Sequence, residues 1–292
     1  MRDRRRHCAI AVVCVIFVAF GLAQPRFAAA TEGQGYWAVT AGGGVHSFGA
    51  APSTFGPNGS LHFNAPVVGA ATTPGGKGLW LVAADGGVFT VGGDARFFGS
   101  TGGVRLARPI VGMASTPDGG GYWLVASDGG VFSFGNARFL GSMGGRALHA
   151  PVIGMARTPT GNGYQLAAAD GGIFSFGDAV CYCTDTLPDL QSPIVGIIPS
   201  PGPGFYLVAA DGGVFTHGDH KPDPPAGANF YGSTAGVLLN APIIGLAVAP
   251  DGHGYWLLAK DGGVFSFGTA TFQGSAAGTA NSRPFAAIVT AT

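Results

Sequence analysis

Gly121-Tyr-Trp-Leu-Val-Ala-Ser-Asp-Gly-Gly-Val-Phe-Ser-Phe-Gly135 is the clearest of six copies of one phrase, which begin at Gly35, Gly78, Gly121, Gly163, Gly204 and Gly254. Successive spacings are 43, 43, 42, 41 and 50 residues. A self-similar unit of about 40 to 50 residues carrying short strand patterns predicts a β-propeller or a related repeat array.

The third unit shows the expected parsing. Pro109–Ser115 reads as strand a, Thr116-Pro-Asp-Gly as a turn, Gly121–Ala126 as strand b, Asp128-Gly-Gly as a tight turn, Val131–Phe134 as strand c and Ala137–Leu140 as strand d. Asp-Gly between apolar runs signals a hairpin, and the expectation is a two-residue type I′ turn. The strands are apolar on both faces, which suits sheets stacked radially with a neighbour on each side. The first unit has no strand a before it, whereas Arg283-Pro-Phe-Ala-Ala-Ile-Val-Thr290 matches Ala65-Pro-Val-Val-Gly-Ala-Ala-Thr72 in register and has no strand b after it. The fold class is therefore all-β, a six-bladed β-propeller whose ring is closed by the C-terminal strand completing the first blade. An open solenoid would leave both terminal half-units unpaired.

Residues 1–30 carry Arg2, Arg4, Arg5 and Arg6, the apolar run Ala9–Leu22 and the small-residue site Ala28-Ala29-Ala30, the pattern of a secretory signal peptide. Residues 31–292 then form a single propeller domain, secreted or associated with the cell envelope, with no stable membrane span after cleavage. Cleavage removes five of the fifteen basic residues and one of the fifteen acids, leaving a mildly acidic chain of ten against fourteen. Such a balance lacks the basic footprint of a nucleic-acid binder. Of four cysteines only Cys181 and Cys183 remain, so the core and not a disulfide framework must hold the fold.

The repeated phrase resembles a propeller-type repeat of exported actinobacterial proteins, over essentially all of residues 35–290. That resemblance implies an extracytoplasmic module of mostly unassigned activity and carries over no catalytic residues.

The recurring Asp85, Asp128, Asp170, Asp211 and Asp261, with Gly42 in the sixth place, read as caps of their own turns, because every blade needs its turn. Function more often sits where copies differ. The connections from strand d to the next strand a vary, which marks Arg105, Arg108, Arg146, His149, Asp185, Asp189 and Asn240 as candidate ligand contacts. An insertion in the fifth blade supplies His217, Asp219 and His220, and with His253 of the next blade these residues form a candidate metal site. Cys181 and Cys183 lie at i and i+2 on a strand, hence on one side, and form a candidate disulfide.

The chain contains one glutamate, Glu32, outside the repeats, and no Gly-x-Ser-x-Gly elbow. A glycosidase would have to draw its paired carboxylates from aspartate alone. The sequence thus favours a non-catalytic binding or scaffolding module, a monomer without cofactor that contacts protein or cell-wall glycan through loops on one ring face. The alternative is a secreted polysaccharide hydrolase or lyase using aspartates near the central channel.

Overall fold

The computed structural model describes residues 33–53, 61–181, 187, 190–218, 227–279 and 283–291. The first blade contributes β1 (Gly35–Thr40) and β2 (Val45–Gly49), and the second contributes β3 (Val67–Thr72), β4 (Gly78–Ala83) and β5 (Val88–Gly92). The third holds β6 (Ile110–Ser115), β7 (Gly121–Ala126) and β8 (Val131–Gly135), and the fourth holds β9 (Val152–Arg157), β10 (Gly163–Ala168) and β11 (Ile173–Gly177). In the fifth are β12 (Ile194–Pro199), β13 (Gly204–Ala209) and β14 (Val214–Gly218), and in the sixth β15 (Ile243–Val248), β16 (Gly254–Ala259) and β17 (Val264–Gly268). The last strand, β18 (Phe285–Ala291), joins the first blade in the order β18-β1-β2.

Six three-stranded antiparallel sheets result, and their innermost strands pack in the cycle β3, β6, β9, β12, β15, β18 and back to β3. A belt of backbone hydrogen bonds follows the same circle. Ser127 N donates to Pro109 O of its own blade at 2.9 Å, and Ser127 O accepts from Val152 N of the next blade at 2.9 Å. The belt closes where Phe285 N donates to Lys260 O at 3.1 Å and Ala41 N donates to Pro284 O at 2.8 Å. The ring is thus a closed six-bladed propeller, completed by the C-terminal strand as its register in the sequence requires.

The blades have no private cores. Each apolar cluster lies between two neighbours: Trp123, Val125 and Val131 of the third blade pack with Val152, Tyr164 and Leu166 of the fourth, and Tyr36 and Ile288 of the first pack with Trp256 and Leu258 of the sixth. Strands β1, β4, β7, β10 and β16 are buried along their whole length.

Two expectations need correction. The hairpin turn is not a two-residue type I′ turn. Gly129 N donates to Ala126 O and Ala126 N donates to Gly130 O, both at 2.8 Å, which places Ser127 and Asp128 at the centre of the turn. Gly129, at φ 77°, is the left-handed residue that follows, as in a type I turn with a bulge. The register Val125↔Val131 leaves five residues between the paired positions, which is what this longer loop needs.

The fourth segment, expected as strand d, forms no ladder with strand c. Side chains hold it instead. Trp123 Nε1 donates to Arg138 O at 2.8 Å, Trp80 Nε1 to Arg96 O at 2.7 Å and Trp256 Nε1 to Thr271 O at 2.8 Å. The indole starts from strand b and must cross strand c, and the residue opposite it is always small: Ser133, Thr90 and Ser266 in these three blades. The hydroxyls of Ser133 and Ser266 are buried there without a hydrogen-bond partner among the described residues. In the fourth blade, where Gln165 replaces the tryptophan, Ser175 Oγ donates to the equivalent carbonyl of Val180 at 3.1 Å.

Tyrosine ties the same segment to the next blade. Tyr122 OH donates to Gly99 O at 2.6 Å and accepts from Phe98 N at 3.1 Å. Tyr164 clasps Leu140 and Gly141 in the same way, and Tyr255 clasps Tyr231 and Gly232. Tyr36 donates to Gly274 O across the ring closure. Burial pushes the Tyr255 phenol up to about 12, so it remains a donor through ordinary pH. Gly99, at φ 133°, has no alternative, because a Cβ there would stand 2.6 Å from the Phe134 ring of the next blade.

Two outcomes test this account by thermal and chemical denaturation. Removing residues 283–292 reopens the ring and should lower the melting temperature by more than Ile288→Ala, itself expected to cost about 2–4 kcal/mol. Tyr122→Phe should cost about 1–2 kcal/mol, because it leaves Gly99 O and Phe98 N without their partner, whereas Ser133→Ala should be neutral or stabilising.

Candidate functional site

The closed ring presents two faces and an axial channel. One face carries the b–c hairpins and the connections that lead into the next strand a, and the other carries the a–b turns. On the hairpin face the five aspartates are occupied with the backbone. Asp85, Asp128, Asp170, Asp211 and Asp261 each accept through Oδ1 from the amide of the glycine two residues on, at 2.9–3.0 Å. This is a local turn contact repeated per blade, as the sequence reading favoured.

The variable connections are different. Arg105, Arg108, Arg146, His149 and Asn240 are all exposed, and no side-chain hydrogen bond or ion pair ties them to another described residue. Val104, Val237 and Leu238 stand beside them as exposed apolar tips, Leu238 being 100% accessible. Two shallow hollows form between these connections and the hairpins. Arg108 and Asp85 line one, of about 280 Å³, and Asn240 and Asp261 line the other, of about 250 Å³. Asp185 and Asp189 lie outside the described residues.

The metal candidates are spread out. His217 sits on β14 with its imidazole stacked on Phe205 at 4.9 Å, and His253 is exposed in an a–b turn, where its amide donates to Asp251 Oδ1. Asp219 and His220 lie outside the described residues, and among the described residues no three His, Cys, Asp or Glu side chains converge. Cys181 is disulfide-bonded, and Cys183 lies outside the described residues.

Four departures from the repeat meet at one junction, and two more stand between the first and second blades, where Leu79 takes the tyrosine place and Val91 the place of Phe134. Between the fourth and fifth blades Gln165 stands in the tryptophan place, Phe205 in the tyrosine place and His217 in the place of Phe134, and Cys183 occupies the position of the clasp glycine. Phe205, like Leu79 of the second blade, lacks a hydroxyl, so the clasp made by Tyr36, Tyr122, Tyr164 and Tyr255 has no donor here.

Two features escaped sequence reasoning. Phe139, expected in strand d, and its counterparts Phe97, Phe230 and Phe272 are half or more exposed around the outer rim, because the segment that bears them is tethered at points and covers no outer layer. The second is the axial channel, a cavity of about 350 Å³ walled by the six innermost strands. Near their a–b ends those strands place Thr72, Ser115, Arg157, Pro199, Val248 and Thr290 at one level, and Arg157 is the one ionisable residue among the described residues of the lining. Aligning this position of each strand a would have shown this one cation among six copies.

No family model matches the chain, and no curated protein does. Solved structures do match. One is a structural genomics protein of unknown function from Bacteroides thetaiotaomicron VPI-5482, with a TM-score of 0.52 and 16% identity over 80% of this chain. The chain spans 61% of that protein's length, and at this identity the likeness is one of fold. No helix among the described residues is long and apolar enough to cross a membrane.

If the hairpin aspartates act only as caps, Asp128→Asn, which keeps the acceptor, should leave stability within about 0.5 kcal/mol, while Asp128→Ala should cost about 1 kcal/mol. Urea denaturation of the two variants checks this.

Proposed function

We propose that the chain is an exported, non-catalytic binding or scaffolding module of the cell envelope, a monomeric ring that engages protein or glycan through the connections on its hairpin face. One observation carries this reading. The repeated polar residues of that face are consumed by its turns, whereas the variable Arg105, Arg108, Arg146, His149 and Asn240 are uncommitted and stand among exposed apolar tips. Polar donors mixed with apolar surface on loops held by a rigid scaffold make a recognition surface. Among the described residues the channel lining contains no carboxylate, which leaves the aspartate-based hydrolase reading without a described acid on the ring axis. Export rests on the pattern of residues 1–30.

The N-terminus of the protein recovered from the culture medium or envelope fraction should be Thr31, as Edman or mass-spectrometric sequencing would show. On a glycan array and in envelope pull-downs, reversing Arg105, Arg108 and Arg146 to Glu should weaken the captured partner at least about tenfold with the melting temperature unchanged. Unaltered capture by that variant, or reducing-sugar release that a single Asp substitution abolishes, would sink the proposal.

A further inference from the structure

Among the described residues the axial channel holds one charge, with no counter-charge in its walls. Arg157 closes strand β9 at the a–b end of the ring, and the neighbouring strands offer only hydroxyl, proline and valine side chains at that level. Of the five guanidinium N–H donors, one on Nη1 reaches the carbonyl of Thr158, the next residue, at 3.2 Å. No carboxylate among the described residues pairs with Arg157. Two hydroxyls at the same mouth are turned to backbone carbonyls: Ser115 Oγ donates to Thr72 O at 3.4 Å and Thr290 Oγ1 to Val248 O at 2.5 Å. The Thr72 hydroxyl, which also lines this mouth, bonds to no described residue.

A cation half withdrawn from water between apolar walls is unfavourable unless a counter-charge meets it. Burial accordingly depresses the Arg157 pKa from its usual value. The fold needs no arginine here. Threonine serves equally well at the equivalent places of the first and second blades, in Thr290 and Thr72. The planar fork of a guanidinium fits a carboxylate through two parallel N–H···O bonds. Ile198 stands beside the mouth, farther along the axis the wall is formed by Val68, Val111, Ile153 and Ile244, and the volume of about 350 Å³ lies at the small end of the range for organic-ligand pockets.

We infer that the axial channel binds a small monocarboxylate with an apolar body, its headgroup on Arg157 and its body between the valines and isoleucines of the innermost strands. The site opens among the a–b turns, on the face opposite the variable connections, so it stands independently of the partner surface proposed above.

Calorimetry and thermal melts of the mature protein with hexanoate, 1-hexanol and inorganic phosphate test the site. Hexanoate should bind saturably and raise the melting temperature, with hexanol and phosphate at least about tenfold weaker, because each lacks one half of the recognition. Arg157→Thr, which installs the residue already used at this level by two blades, should weaken hexanoate at least about tenfold and leave the ligand-free melting temperature unchanged or higher. Arg157→Lys should retain part of the affinity, since it keeps the charge and loses the fork. Equal responses of wild type and Arg157→Thr, or no saturable signal up to about 10 mM hexanoate, would overturn the site. Phosphate binding as tight as hexanoate would overturn the apolar half of it. A clear fall in ligand-free stability in Arg157→Thr would assign the arginine to the fold instead.

Discussion

Burial of strand b on both faces is the constraint on which the rest of this molecule depends. Strands β7 and β16 are buried from end to end, and the same holds for three of their four counterparts, so a blade in isolation would expose two apolar surfaces. Each of the six apolar clusters is made by two blades, and the cluster of Tyr36, Ile288, Trp256 and Leu258 joins the two ends of the chain. An open array of the same units would leave one face of each terminal blade in water, at roughly 25 cal/mol for every Å² of apolar surface. Closure is therefore part of the energetics of every blade, and the C-terminal strand stabilises positions far from it in sequence.

The same constraint explains why the phrase is so regular. A fully buried strand b has to place its polar atoms, and it spends them on the segment outside strand c. The tryptophan of one blade reaches its own outer segment and the tyrosine of the next blade holds the segment from the other side, as Trp80 and Tyr122 do at Arg96 and Gly99. Two point contacts from long side chains take over the work of a fourth strand. They demand a small residue beneath the indole and a glycine at the clasp, and both recur in the sequence for that reason. The tyrosine is replaced twice, by Leu79 and by Phe205, and opposite Phe205 the matching glycine is replaced as well, since Cys183 takes its place.

Much of this architecture is legible in the residues. Six copies at a nearly constant period fix the blade count, and the orphan strand at Arg283–Thr290 fixes the closure. Ala137–Leu140 reads as a strand in the sequence because a short run rich in apolar residues looks alike whether a ladder or an indole holds it. The Asp-Gly turn was misread because the dipeptide suits both a two-residue and a longer hairpin, and only the register of Val125 with Val131 separates them. The variable loop residues are those at which copies differ, and five of the seven are exposed, with Asp185 and Asp189 outside the described residues. Arg157 escaped that search although it too is a departure, because strand a was read as interior wall. In a ring, the innermost strand is also the lining of a channel.

A channel on an axis of near-sixfold symmetry has a particular difficulty as a binding site. Any ligand within it meets six similar walls, so a wall built of the repeat alone would hold it in several orientations at about equal energy and fix none. Discrimination requires one blade to differ at the level where the ligand's polar group sits. The six innermost strands all keep a small residue at the glycine level, where Gly112 and Gly154 lie against one another at the waist, and they diverge toward their a–b ends. There the set Thr72, Ser115, Arg157, Pro199, Val248 and Thr290 contains one group able to hold an anion and one proline without an N–H to offer. The asymmetry that the repeat excludes from its turns and its cores is concentrated at this ring of six side chains, which gives a symmetric wall a single direction.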